Sequence, residues 1–186
     1  GTVAGTHMVT VSESNLPKRK KFYNYNGKVY FSAPSGLIDR ELWVTDGTES
    51  GTFILKKINL SGSSYPDNFT EHNGMLFFTA TDGVNGYELW KTDGTEENTT
   101  LVTDLNPEGT TFFKELKSID NYLYFTADNG SIGYEPYLTD GTALGTVLIE
   151  NINVLDNSGA HAFTKCNGSV YFLANSLFGE VDDLYE

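Results

Sequence analysis

Eight residues recur three times at one fixed interval. Glu41-Leu42-Trp43-Val44-Thr45-Asp46-Gly47-Thr48 returns as Glu88-Leu89-Trp90-Lys91-Thr92-Asp93-Gly94-Thr95, and again as Glu135-Pro136-Tyr137-Leu138-Thr139-Asp140-Gly141-Thr142, each 47 residues after the last. A second marker has four copies at the same period: Tyr30-Phe31-Ser32-Ala33, Phe77-Phe78-Thr79-Ala80, Tyr124-Phe125-Thr126-Ala127 and Tyr171-Phe172-Leu173-Ala174. A fixed period of this length means a stacked array of one supersecondary unit, each unit burying its apolar faces against its neighbours.

The unit reads as four short strands. In the second copy they are Phe69–His72, Met75–Thr81, Tyr87–Thr92 and Thr99–Leu105, with turns at Asn73-Gly74 and Asp93-Gly94-Thr95. Asn-Gly between apolar runs marks a hairpin, because both residues tolerate positive φ. In the Asp-Gly-Thr corner, Asp caps backbone N–H groups and Gly takes the awkward dihedral. No window sustains a 3.6-residue apolar period, so the chain is predicted to be all-β.

The second strand shows how the sheets pack. Val29-Tyr30-Phe31, Leu76-Phe77-Phe78, Leu123-Tyr124-Phe125 and Val170-Tyr171-Phe172 are apolar on consecutive residues. A half-solvated strand would alternate, so these strands are expected to be covered on both faces. Four-stranded sheets covered on both sides and repeating every 47 residues predict the blades of a β-propeller. The units run at about 5–51, 52–98, 99–145 and 146–186 within a single domain. Four units of 47 need 188 residues, and the chain has 186. Gly1-Thr2-Val3-Ala4-Gly5-Thr6 copies the string after each Asp, and Asp183-Leu184-Tyr185-Glu186 is a degenerate Glu-Leu-Trp strand. Residues 1–14, through a strand at His7–Ser12, are therefore expected to close the last of four blades. A ring completed between two chains, or an excerpt of a longer protein, stays open at this point.

Composition removes other classes. Twelve Lys and Arg stand against 25 Asp and Glu, a net charge of −13. A nucleic-acid binder needs a basic footprint, so that partner is not expected. No run approaches the ~20 apolar residues of a membrane-spanning helix. The lone Cys166 excludes an internal disulfide. Residues 1–40 are the exception in charge, with six bases against two acids; the Lys18–Lys21 run reads as a solvated loop or a docking patch for an acidic partner.

Comparison between copies locates function. The Asn-Gly and Asp-Gly-Thr turns share one end of the sheets and barely change. The crossings at the other end, Asn15–Lys21, Asn59–Asn68, Asn106–Lys114 and Asn153–Ala162, differ almost completely. Loops on a rigid scaffold are where binding lives. The candidate ligand-binding residues are therefore Tyr65, Asp67, Phe112, Phe113, Lys114, Asp156 and His161 from the crossings, with Asp82, Asn85, Asp128 and Asn129 from the shorter loops. Exposed aromatics among Asn and Asp suit a glycan or a protein surface.

Other columns read as scaffold. Asp46, Asp93 and Asp140 offer one carboxylate per turn, too few for the six to eight oxygens of calcium, so turn capping is expected and no metal or cofactor is assigned. Trp43, Trp90, Tyr137 and Tyr185 are expected to pack between blades. Glu41, Glu88, Glu135 and Asp183 are expected to make structural hydrogen bonds. His7, His72 and His161 fall in different columns, and no phosphate loop or nucleophile elbow occurs. The reading from the residues is that the chain is not an enzyme, with a propeller glycoside hydrolase as the catalytic alternative.

The repeated octapeptide resembles the bacterial repeat family named for its Glu-Leu-Trp-x-x-Asp-Gly-Thr motif, and the likeness covers essentially the whole chain. Pro136-Tyr137 replaces Leu-Trp in the third copy. Asn98 replaces the Gly of a second Gly-Thr pair, which puts the shape of that turn in question. The resemblance implies a propeller in a large secreted or surface-anchored bacterial protein, with no defined activity for the repeat. A weaker architectural similarity is to the tachylectin-type sugar-binding propellers. Together these lead to an expected non-catalytic adhesion module, secreted or at the cell surface, that contacts a glycan or a surface protein beside neighbouring modules of its own polypeptide. The competing reading is a structural spacer that binds nothing.

Overall fold

The computed structural model describes residues 22–35, 39–176 and 182–186, and every element among them is a strand. Sheet 1 holds β1 (Phe22–Tyr25), β2 (Lys28–Pro34), β3 (Arg40–Thr45) and β4 (Phe53–Lys56). Sheet 2 holds β5 (Asp67–His72), β6 (Met75–Thr81), β7 (Tyr87–Thr92) and β8 (Thr100–Thr103). Sheet 3 holds β9 (Phe112–Ile119), β10 (Tyr122–Asp128), β11 (Tyr134–Thr139) and β12 (Val147–Leu148). Sheet 4 holds β13 (His161–Cys166), β14 (Ser169–Ala174) and β15 (Asp183–Tyr185). Each is an antiparallel meander in chain order. The expected closing strand at His7–Ser12 and the basic run Lys18–Lys21 lie outside the described residues.

The turns follow from local chemistry. Asn26-Gly27, Asn73-Gly74 and Asn167-Gly168 all take positive φ, which matches the right-handed twist of the strands they join. In the Asp-Gly-Thr turn, the Asp46 carboxylate accepts the Thr48 N–H at 2.9 Å and its hydroxyl at 2.7 Å. Asp93 and Asp140 do the same with Thr95 and Thr142. These bonds hold all three carboxyls below their usual range. Asn98 does not reshape its turn. Its N–H donates to the Thr95 hydroxyl, as Gly51 and Gly145 donate to Thr48 and Thr142, and its amide adds a bond to Asp93 at 2.6 Å.

The sheets stack face on face by one repeated rule. The pairings Tyr30↔Val44, Phe77↔Lys91 and Tyr124↔Leu138 define one face of each sheet, and Phe31↔Trp43, Phe78↔Trp90 and Phe125↔Tyr137 the other. Tyr30, Leu42 and Val44 on the first face of sheet 1 form one core with Phe69, Phe78 and Trp90 on the second face of sheet 2. Phe77 and Leu89 of sheet 2 likewise meet Phe125 and Tyr137 of sheet 3. Tyr124 of sheet 3 meets Phe163, Phe172 and Tyr185 of sheet 4. Hydrogen bonds tie the same neighbours: Tyr25 to the Gly74 carbonyl at 2.6 Å, Lys91 to the Gly141 carbonyl at 2.8 Å, and Lys165 to Asp120 at 2.8 Å.

Trp90 and Tyr137 are packing residues, as their column position suggested. Trp90 is 7% exposed inside the core between sheets 1 and 2. Trp90→Ala is expected to destabilise by about 3–5 kcal/mol, from lost burial and the cavity left behind. Urea unfolding followed by far-UV circular dichroism checks this, and a midpoint that barely moves would refute the packing role.

Candidate functional site

The crossings between sheets are pinned at both ends by a buried glutamate. Glu41 accepts the Ile58 N–H at 3.1 Å and the Ser64 hydroxyl at 2.5 Å. Glu88 accepts the Leu105 N–H at 3.0 Å and the Thr111 hydroxyl at 2.6 Å. Glu135 accepts the N–H groups of Ile152 and Ser158. All three side chains are fully buried. The fourth member of the column departs from this: Asp183 is exposed and accepts the Ser176 hydroxyl instead. Between the two pinned points further bonds tie the crossing to its sheet, the Ser63 hydroxyl accepting the Arg40 N–H and the Asn157 side-chain oxygen accepting the Tyr134 N–H.

Burial pushes the Glu88 carboxyl up to about 7, against the hydrogen bonds from Thr111 and Leu105 that favour its ionised form. Burial raises Glu41 and Glu135 as well. The folded state therefore holds these protons more tightly than the unfolded state. The stability Glu88 contributes is fully present below pH about 4.5 and is lost as pH rises through about 7, at most about 3 kcal/mol. Denaturant titrations at pH 5 and pH 8 are expected to show the wild type weaker at pH 8, with Glu88→Gln reducing that difference.

Several crossing residues take a left-handed backbone, Asn68 and Ala162 among them, and Tyr65 is the bulkiest. Tyr65 has φ +46°, a conformation that disfavours a bulky side chain. Two units on, the equivalent position is Gly159 with φ +60°. Ser64 and Tyr65 donate their N–H groups to the Arg40 carbonyl, as Ser158 and Gly159 donate to the Tyr134 carbonyl. Phe112, one unit on, does not share this backbone, so two of the three crossings take a left-handed turn here, one with glycine and one with a tyrosine that is 48% exposed.

Tyr65 opens onto a cleft of about 360 Å³, lined also by Asp67, Asn68, Thr79, Tyr87, Thr111, Phe112 and Phe113. Its floor is positioned by sheet 2: Asn68 donates its amide to the Thr79 hydroxyl at 3.2 Å, and that hydroxyl donates to the Asp67 carbonyl at 3.3 Å. A bulge in β5 between Asp67 and Thr70 turns this corner, with Asn68 at φ +55°. Phe112 is 56% exposed at the rim, while Phe113 packs on Phe125. Flat ring faces beside hydroxyl, amide and carboxylate groups can stack an apolar surface and hydrogen-bond its edge.

Four of the eleven sequence candidates, Tyr65, Asp67, Phe112 and Phe113, meet in this cleft. The others do not line it. Asp82 accepts the N–H groups of Val84 and Asn85 and the Asn85 amide, so both residues serve their own loop. Asp128 caps Gly130, and Asn129 caps Ser131 and Ile132. Lys114 lies over the Tyr134 ring at 3.6 Å. Asp156 accepts the Asn157 amide, and His161 faces Asp182 at 3.3 Å. The sequence reading missed Asn68, Thr79, Tyr87 and Thr111. Asn68 and Thr111 had a signal, since both lie in variable crossings; Thr79 and Tyr87 read as scaffold. No group of three or more His, Cys, Asp or Glu placed to hold a metal ion occurs among the described residues.

No protein-family model and no curated protein matches this chain. Among solved structures it is similar to the β-propeller domain of the Trilobed protease from Pyrococcus furiosus, with 14% identity over 91% of this chain and a TM-score of 0.54. The chain spans only 52% of that structure's length. It is also similar to prolyl oligopeptidase B from Galerina marginata (14% identity, 84% of this chain and 22% of that one, TM-score 0.48). A third likeness is to the endo-arabinase from Bacteroides thetaiotaomicron (12% identity, 89% of this chain and 72% of that one, TM-score 0.40). The fold is that of a β-propeller. The sequence reading that the chain is not an enzyme is corrected by the first of these likenesses: a propeller domain of this fold occurs in a protease, so a missing nucleophile elbow or phosphate loop is no ground for setting catalysis aside.

If Tyr65 is held in its strained backbone for the sake of the cleft, glycine should replace it at no loss to the fold. Tyr65→Gly is expected to leave stability within about 1 kcal/mol of wild type. A loss above about 2 kcal/mol in thermal unfolding would make the ring a structural support.

Proposed function

We propose that this chain is a binding module of a secreted or cell-surface protein, and that it holds a carbohydrate in the cleft lined by Tyr65 and Phe112. The observation that carries this reading is Tyr65, a half-exposed aromatic at a position whose backbone suits glycine. Strain of that kind persists where the side chain is used. The cleft's chemistry agrees with it: aromatic rings to stack a pyranose face, and Asp67, Asn68 and the phenol of Tyr87 to bond its hydroxyls. A volume of about 360 Å³ takes a short saccharide end rather than a long buried chain.

The setting and the finer architecture belong to the same proposal. The extracellular location rests on the resemblance of the octapeptide repeat to bacterial surface proteins. Each chain supplies four blades, and residues 1–14 supply the strand that sheet 4 lacks among the described residues.

A glycan-array screen, run with calcium and again with chelator, tests the reading. Binding to a defined set of glycans is expected, with at least a tenfold loss in Phe112→Ala and Tyr65→Gly while both variants stay folded. A blank array in both buffers would sink the carbohydrate reading and leave a protein partner or a structural spacer. Binding that only the chelator abolishes would place a cation at the site.

A further inference from the structure

The cleft at Tyr65 has a filled counterpart one unit further along the chain. In sheet 3 the ammonium of Lys114 lies 3.6 Å from the centre of the Tyr134 ring, a cation seated on an aromatic face. Lys114 on β9 stands opposite Thr126, and Tyr134 on β11 stands opposite Asp128. In sheet 2 the same places of the repeat, 47 residues earlier, hold Asp67 opposite Thr79 and Tyr87 opposite Thr81. The ring is kept and the lysine is exchanged for an acid. Sheet 3 thus covers its ring with a cation of its own, while sheet 2 sets a carboxylate in the same place.

The rest of the cleft suits a cationic guest. Four of its eight lining residues are aromatic: Tyr65, Tyr87, Phe112 and Phe113. Burial, and after it the neighbouring Tyr65 phenol, push the Tyr87 hydroxyl above its usual range, so the two tyrosines lie close together. Of the described residues that line the cleft, Asp67 alone carries a charge, and it is exposed. Ring faces carry negative potential, so an ammonium beside them gains from the rings as well as from the carboxylate. A neutral acetamido group gains neither. A sugar carboxylate is repelled by Asp67 and by a chain of net charge −13.

We propose that the cleft selects an amino sugar, a saccharide whose unacetylated amine, charged as an ammonium, sits over the Tyr87 ring and pairs with Asp67. This inference deepens the carbohydrate reading and rests on it. The contact of Lys114 with Tyr134 is the chain's own version of the complex, with the cation supplied by the protein; in sheet 2 the ligand supplies it.

Isothermal titration with a glucosamine trisaccharide and with its fully N-acetylated counterpart, at mildly acid pH, tests the assignment. The free-amine form is expected to bind about tenfold more tightly, and Asp67→Asn to shrink that preference to about threefold or less. Asp67→Lys copies the arrangement of sheet 3 and is expected to seat its own ammonium on Tyr87 and abolish binding of the free-amine form, with thermal unfolding unchanged. Equal binding of the two trisaccharides, or tighter binding of the acetylated one, would overturn the amino-sugar assignment and leave the carbohydrate reading standing. A full preference for the amine in Asp67→Asn would also overturn it, since the ammonium would then pair elsewhere. If neither trisaccharide binds, this inference fails alone when the glycan array shows other ligands, and both readings fail when the array is blank.

Discussion

The chain depends on one contact made repeatedly: the aromatic and aliphatic face of one sheet laid on the Phe-Trp or Phe-Tyr face of the next. Each meander alone is a small sheet of three or four described strands with both faces apolar, and it would be marginal in water. Stacking removes both faces from solvent at once. This is why β6 has five consecutive buried residues, Leu76 to Ala80, where an isolated sheet would alternate. Gly94 and Gly141 of the Asp-Gly-Thr turns belong to the same contact, since the ring from the preceding sheet sits where a side chain would project.

Much of this was legible in the sequence because repetition averages out local ambiguity. The strands expected in the second unit agree with β5 to β8 to within two residues. The turn aspartates and the inter-sheet Trp90 and Tyr137 could be placed because their columns were fixed by several copies. The site was less legible, for a physical reason. Whether a loop Asp or Asn faces outward or bonds its own backbone depends on two or three dihedrals that composition does not encode. Asp82, Asp128 and Asn129 turned their oxygens onto nearby backbone N–H groups, and Asn85 donates its amide to Asp82. Tyr65 could be placed in a variable crossing, but its strained backbone could be seen only beside Gly159 in three dimensions.

Asn98 shows the opposite lesson. A departure from the repeat looked like a change of shape, yet the turn kept its geometry because the bond it needed came from a backbone N–H, which every residue but proline has. The catalytic question shows a further limit. Motif absence can be read from residues, while a fold's record of carrying chemistry enters only by comparison.

The buried glutamates separate two rates of sequence change within one unit. Ile58 and Ser64 are tied to Glu41, and Leu105 and Thr111 to Glu88, so the ends of each crossing are held whatever lies between them. A gene encoding such an array can gain or lose whole 47-residue units, because any unit presents the same two faces to its neighbours. The same gene can change the residue that follows each second pinned point without touching the core: Tyr65, Phe112 and Gly159 follow Ser64, Thr111 and Ser158. Length and recognition are thereby inherited independently, and a new binding surface can arise by duplication followed by drift in a single loop.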